Sequence, residues 1–231
     1  MKKKTRWPIY LIIGLVITFI AFTVPLPYYI EVPGTSEDIR KVLQVNNQAD
    51  QEEGSYQFVT VGVKHARLVD LVYAWLTPFT DIRSAKEMTG GSSDAEFMRI
   101  NQFYMETSQN MAKYQGLKSA GKEIELKYLG VYVLTVTDNS TFKGILNIAD
   151  TVTAVNDKTF ESSKEMVDYV NSQTLGDKVK VTYQEDGKVK TAEGKIITLE
   201  NGKNGIGIGL IDRTEVSSDV PIKFSTAGIG G

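Results

Sequence analysis

From Trp7 to Val24 eighteen consecutive residues, WPIYLIIGLVITFIAFTV, carry no charge. At 1.5 Å per residue a helix over this run spans roughly 27 Å, close to the ~30 Å hydrocarbon core of a bilayer. The run therefore reads as a single transmembrane helix. Lys2, Lys3, Lys4 and Arg6 precede it, Pro25-Leu26-Pro27 closes it, and Tyr28 and Tyr29 follow as interfacial aromatics. The positive-inside rule then leaves the N-terminus in the cytoplasm and about 200 residues outside, as a single-pass protein of the cell membrane in contact with the lipid bilayer. A cleaved signal peptide opens with the same charge pattern. Phe22, Pro25 and Tyr28 crowd the place where a small-x-small cleavage site should stand, which favours an uncleaved signal anchor.

The 231 residues are 42% hydrophobic and 23% charged, ordinary globular values for one large or two modest domains. Net charge is -2, and because the first thirty residues hold no acid, the rest of the chain is more acidic still. Nucleic acid is thus a poor partner. There is no cysteine and one histidine, His65, which excludes a thiol nucleophile, a cysteine-based zinc site and disulfides. His65 falls at a strand-to-helix junction and reads as a packing or helix-start residue.

Beyond residue 30 the pattern alternates between strand and helix signals. Tyr56 to Val63 is rich in β-branched residues and reads as a strand; Ala66 to Leu76 suits a buried helix ended by Pro78. After the Gly90-Gly91 loop, Asp94 to Ala120 reads as one long helix closed by Gly121. Glu123 to Tyr128 and Val131 to Thr137 read as strands, and Leu146 to Val155 runs into a turn at Asn156-Asp157. Ser162-Ser-Lys-Glu165 is a capping-box pattern in which the Ser162 hydroxyl accepts from the Glu165 amide and the Glu165 carboxylate reaches back. It opens a helix with Met166, Tyr169 and Val170 on one face. Lys178 to Tyr183 and Val189 to Ile197 form a hairpin around Asp186-Gly187. The Gly205-Ile-Gly-Ile-Gly-Leu-Ile-Asp212 run has the wrong spacing for a dinucleotide fingerprint and reads as an edge or barrel-like strand.

This order of elements, with Lys127-Tyr-Leu-Gly-Val-Tyr-Val133 and LNIADTVTAVNDKTF, resembles a bacterial PDZ domain over residues 123–198. Ala149 and Asp157 stand where that pattern has glycines. The resemblance implies a partly open β-barrel with two helices that captures peptides by strand addition. Tyr128, Leu129, Gly130, Val131, Tyr132 and Val133 would line one side of the groove and Met166, Tyr169 and Val170 the other, with amides near Leu129 and Gly130 holding a terminal carboxylate. A PDZ fold that only positions its neighbours is the competing expectation.

The last residues, Val220-Pro-Ile-Lys-Phe-Ser-Thr-Ala-Gly-Ile-Gly-Gly231, resemble the approach to the nucleophile in Lon-type serine peptidases, where a Gly-Gly turn leads into Pro-Ser-Ala-Gly. With the apolar run and the PDZ-like unit, the chain is similar to membrane-anchored PDZ and Lon-like peptidases of Gram-positive bacteria. The resemblance implies an α+β fold: an N-terminal transmembrane helix (1–30), a strand and helix part of the Lon-like region (31–122), the PDZ domain (123–198) inserted into it, and the start of an incomplete proteolytic domain (199–231). It also implies an ATP-independent Ser-Lys endopeptidase that recruits peptides or unfolded proteins and uses no cofactor or metal. Its serine and lysine are expected beyond residue 231, so no catalytic residue is assigned here, and Ser225, lying before the glycine turn, is not promoted to one. A tethered, non-catalytic PDZ peptide-binding module is the alternative.

Overall fold

The structure, a computed structural model, describes residues 7–225. The terminal glycine run from Thr226, and with it the approach to a nucleophile turn, lies outside the described residues. Contacts divide the chain into two compact units: residues up to 43 with 49–94, and residues 44–48 with 95 onward.

In the first unit the apolar run forms α1 (Trp7–Thr23), and the chain turns at once into β1 (Pro25–Asp38). The helix has seventeen residues, about 25 Å at 1.5 Å each. No helix among the described residues is long and apolar enough to cross a membrane. The expected transmembrane helix is thereby overturned, and the bilayer contact drawn from it has no support. Tyr28 and Tyr29, expected at a membrane interface, instead belong to β1, where Tyr29 is buried and pairs with His65. After a one-turn 3-10 helix (Ile39–Lys41) and β2 (Leu43–Val45) come β3 (Gln57–Arg67), α2 (Leu68–Leu76), β4 (Asp81–Ser84) and α3 (Ala85–Thr89). β1 lies between β3 and β4, antiparallel to both. His65 stacks on the Tyr29 ring at 4.3 Å, and its Nε2 lies 2.7 Å from the Asp94 carboxylate, which also accepts from the Tyr29 hydroxyl at 2.6 Å.

The second unit takes up the long helix α4 (Asp94–Ser119), then β5 (Glu125–Val136), β6 (Thr151–Val155), α5 (Ser163–Asn171), β7 (Lys178–Glu185), β8 (Lys188–Lys195), the short β9 (Ile197–Thr198) and β10 (Asn204–Gly205), β11 (Ile208–Ser217) and β12 (Ile222–Phe224). Five strands make an antiparallel sheet in the order β11-β5-β6-β7-β8. Alternation places Val179, Val181 and Tyr183 of β7 on the inner face, where they join Val131, Val133, Phe142, Leu146, Met166 and Val170 in one core. The hairpin turns at Asp186 and Gly187, both with positive φ (47° and 77°), as a type I′ turn requires. Ala149 and Asp157 keep left-handed backbone (φ 83° and 60°), the geometry a glycine adopts without strain. The expected two strands over 123–137 are a single strand, because the glycine between them bends β5 without breaking its pairing.

Candidate functional site

The site forms where β5 runs beside α5. Ser162 caps α5, its Oγ accepting from the Glu165 amide at 3.2 Å. The Glu165 carboxylate reaches back one residue further than the capping-box pattern implies, accepting from the Glu161 amide at 3.0 Å. From this helix Met166 and Val170 enter the core, while half-buried Tyr169 packs on Phe160 with ring centroids 5.4 Å apart and accepts from the Asn156 side-chain amide at 3.2 Å.

On β5, Val131 and Val133 are fully buried and face the core. Tyr132 points the other way, stacking on Phe103 of α4 at 3.8 Å and donating to the Arg99 carbonyl. Gly130 sits at φ 135°, and a Cβ there would lie 2.3 Å from the Val152 carbonyl oxygen. Glycine is therefore required where β5 crosses β6. Tyr128 is half-buried; burial first, and then the carboxylates of Asp212 and Glu165, push its phenol up to about 12.

Between β5 and α5 lies β11, the edge strand of the sheet. β11 pairs antiparallel with β5 from Ile208 opposite Val136 to Ser217 opposite Glu125. Two bulges, at Leu134 and Leu129, interrupt the register, and the second falls at the expected carboxylate loop. There Arg213 faces Gly130 and Thr214 faces Tyr128, so a continuous strand passes where a terminal carboxylate was expected. Alternate side chains of β11 face the core and α5. Ile208 and Leu210 pack against the core that holds Met166 and Val170, leaving a residual cavity of about 50 Å³, and the Asp212 carboxylate accepts from the Ser163 amide in the first turn of α5 at 2.9 Å. That contact joins a hydrogen bond to the positive end of the helix dipole. On the opposite face the Arg213 guanidinium donates to the Thr151 hydroxyl at 2.5 Å, and the Thr214 carbonyl accepts from the Asn110 side chain at 3.3 Å.

Just before β11 the backbone is pinned. The Ser140 hydroxyl donates to the Ile206 carbonyl at 2.6 Å, and the Thr137 amide donates to the Gly207 carbonyl at 2.9 Å. Gly207 has φ 75°, and a Cβ would meet Thr137 Oγ1 at 2.6 Å. The chain that follows supplies, as β11, an edge strand of the sheet. Ile208, Leu210 and Asp212 escaped the sequence reading as residues that meet the core and α5. Their alternation was visible, but nothing local says which strand they join.

Residues 101–196 match the PDZ domain family. The chain contains a PDZ domain. The matched PDZ segment takes in most of α4 and runs to the end of β8, so β11 comes from outside it. Solved PDZ domains are similar to it. The PDZ domain of an SdrC-like protein from Listeria monocytogenes is 35% identical, with 38% of this chain and 93% of that one covered and a TM-score of 0.36. The corresponding domain from Listeria innocua is 38% identical over 35% of this chain and 92% of that one, with a TM-score of 0.34. Comparison with curated proteins finds no match.

Proposed function

We propose that the PDZ domain of this chain holds extended polypeptide segments by strand addition along the sheet edge beside α5. The observation that supports this reading is that β11 is the edge strand of its sheet and faces α5 across a small apolar cavity of about 50 Å³ lined by Met166, Val170, Ile206, Ile208 and Leu210. Main-chain pairing gives such a site its affinity and the alternate side chains give it selectivity. The reading is tested by adding an extended synthetic peptide with an aliphatic C-terminal residue to isotope-labelled protein and following amide resonances. Shifts concentrated in β11 and α5 are expected; shifts elsewhere, with β11 and α5 unmoved at millimolar peptide, reject it.

A second reading rests on the resemblance of Val220–Gly231 to the approach to a Lon-like nucleophile. In it the PDZ domain recruits peptides or unfolded chains to a Ser-Lys endopeptidase whose serine follows residue 231. Burial would lower the pKa of the lysine until it accepts the serine proton. Reading the coding sequence past Gly231 decides it: Pro-Ser-Ala-Gly and a later lysine are expected, and a continuation without that serine removes the peptidase.

A further inference from the structure

We infer that the polar cavity between α4 and the sheet, on the face turned away from α5, binds a small free oxyanion, carboxylate or phosphate, between Arg99 and Arg213. The cavity measures about 260 Å³ and belongs wholly to the second unit. Its floor is the stacked pair of Phe103 and Tyr132, and Gln102 and Gln184 bring side-chain amides to its wall. Both arginines are anchored. The Tyr132 hydroxyl donates to the Arg99 carbonyl and so fixes α4 at this level of the sheet, while the Arg213 guanidinium is held by the hydroxyl of Thr151, a side chain only 1% exposed.

A guanidinium presents a planar fork of N–H donors and keeps its charge at any ordinary pH. Thr151 takes up one donor of the half-buried Arg213, and among the described residues the arginine ion pairs are those of Arg40 and Arg83. Neither cation of the cavity is therefore paired with a carboxylate, although partial burial makes an uncompensated charge costly. The two act on one place. Burial is the first influence on the Tyr132 phenol and raises it; the next two, of opposite sign, are the charges of Arg213 and then Arg99. Two guanidiniums over one aromatic floor match the oxygens of a carboxylate or phosphate, which arginine grips through paired hydrogen bonds. The rim sets the size of the ligand. Glu106, held by the Gln102 amide at 3.2 Å, and Asp186 stand at the same cavity, so a long polyanion is repelled where a compact ion is admitted.

The test titrates the isotope-labelled full chain with inorganic phosphate, with succinate and with chloride, at constant ionic strength. Phosphate or succinate should shift the side-chain Nε resonances of Arg99 and Arg213 and the ring resonances of Tyr132 along a saturating curve and should raise Tm by mass action; chloride should do neither. The oxyanion that saturates at the lower concentration tells a phosphate site from a carboxylate site. Arg99→Gln and Arg213→Gln should each weaken binding about tenfold, and Arg213→Lys, which keeps the charge without the fork, should fall between wild type and Arg213→Gln. Arg99 is exposed on α4, so its variant keeps the fold and carries the test alone if loss of the Thr151 contact unfolds the other. Shifts that grow linearly and alike with all three anions mean general screening of charge and overturn the site. Saturable binding that neither glutamine variant weakens puts the ion elsewhere and overturns it as well. Peptide addition is read at β11 and α5, so neither result bears on the strand-addition reading.

Discussion

Gly130 and Ala149 show how much rests on single backbone positions. Gly130 combines a positive φ with contact against the Val152 carbonyl. Gly130→Ala should therefore cost about 3 kcal/mol, the sum of a strained conformation and a backbone shift, read as a lower urea midpoint with unchanged slope. Ala149 already carries such strain at φ 83°, and its amide donates to the Val133 carbonyl. Ala149→Gly should stabilise by about 0.5–1 kcal/mol; a loss of stability would show that the alanine methyl is favourably packed. Tyr128 sets a pH limit. Folding raises its phenol to about 12, chiefly through burial, so the folded protein keeps a proton that the unfolded chain releases near 10. Its contribution is complete below pH 10 and lost as pH rises through 12. Tyr29, raised to about 12 by burial and by Asp94, adds a loss of the same sign. Denaturation midpoints between pH 9 and 12 should fall in wild type and fall less in Tyr128→Phe; identical curves would contradict the assignment.

Among the elements, those with their own punctuation were legible from residues alone. The Ser162 cap, the Asp186-Gly187 turn, the Asn156-Asp157 turn and the glycine after α4 each name a boundary by local chemistry. Ser162→Ala should cost about 1 kcal/mol, measured by denaturation, because it strips the acceptor from the first turn of α5. β1 was not legible. Two prolines and two tyrosines after an apolar run carry both a membrane-interface and a strand meaning, and only pairing with β3 on one side and β4 on the other decides between them. The role of Phe103 was likewise hidden, since its partner Tyr132 lies in a different element and α4 offers several aromatics at helical spacing. Local signals mark where a strand is; long-range pairing decides which neighbour it takes.

For the molecule as a whole, the PDZ domain could be read from motif order, while the strand that lies beside α5 could not. The predicted site residues divide accordingly. Val131, Val133, Met166 and Val170 are core; Tyr132 serves the α4 face; Tyr128, Leu129 and Gly130 face a passing strand; Tyr169 closes against Phe160. The one reading reversed outright is the transmembrane helix, where eighteen uncharged residues yielded a seventeen-residue helix running directly into a sheet. The account turns on β11 lying along β5. Native-state hydrogen exchange with resolved amides measures that pairing most directly. Protection of β11 amides from Leu210 to Thr214, together with nuclear Overhauser contacts linking Tyr132 to Ile211 and Gly130 to Arg213, is the predicted result; a β5 that exchanges as a free edge, with no contact to β11, would contradict it.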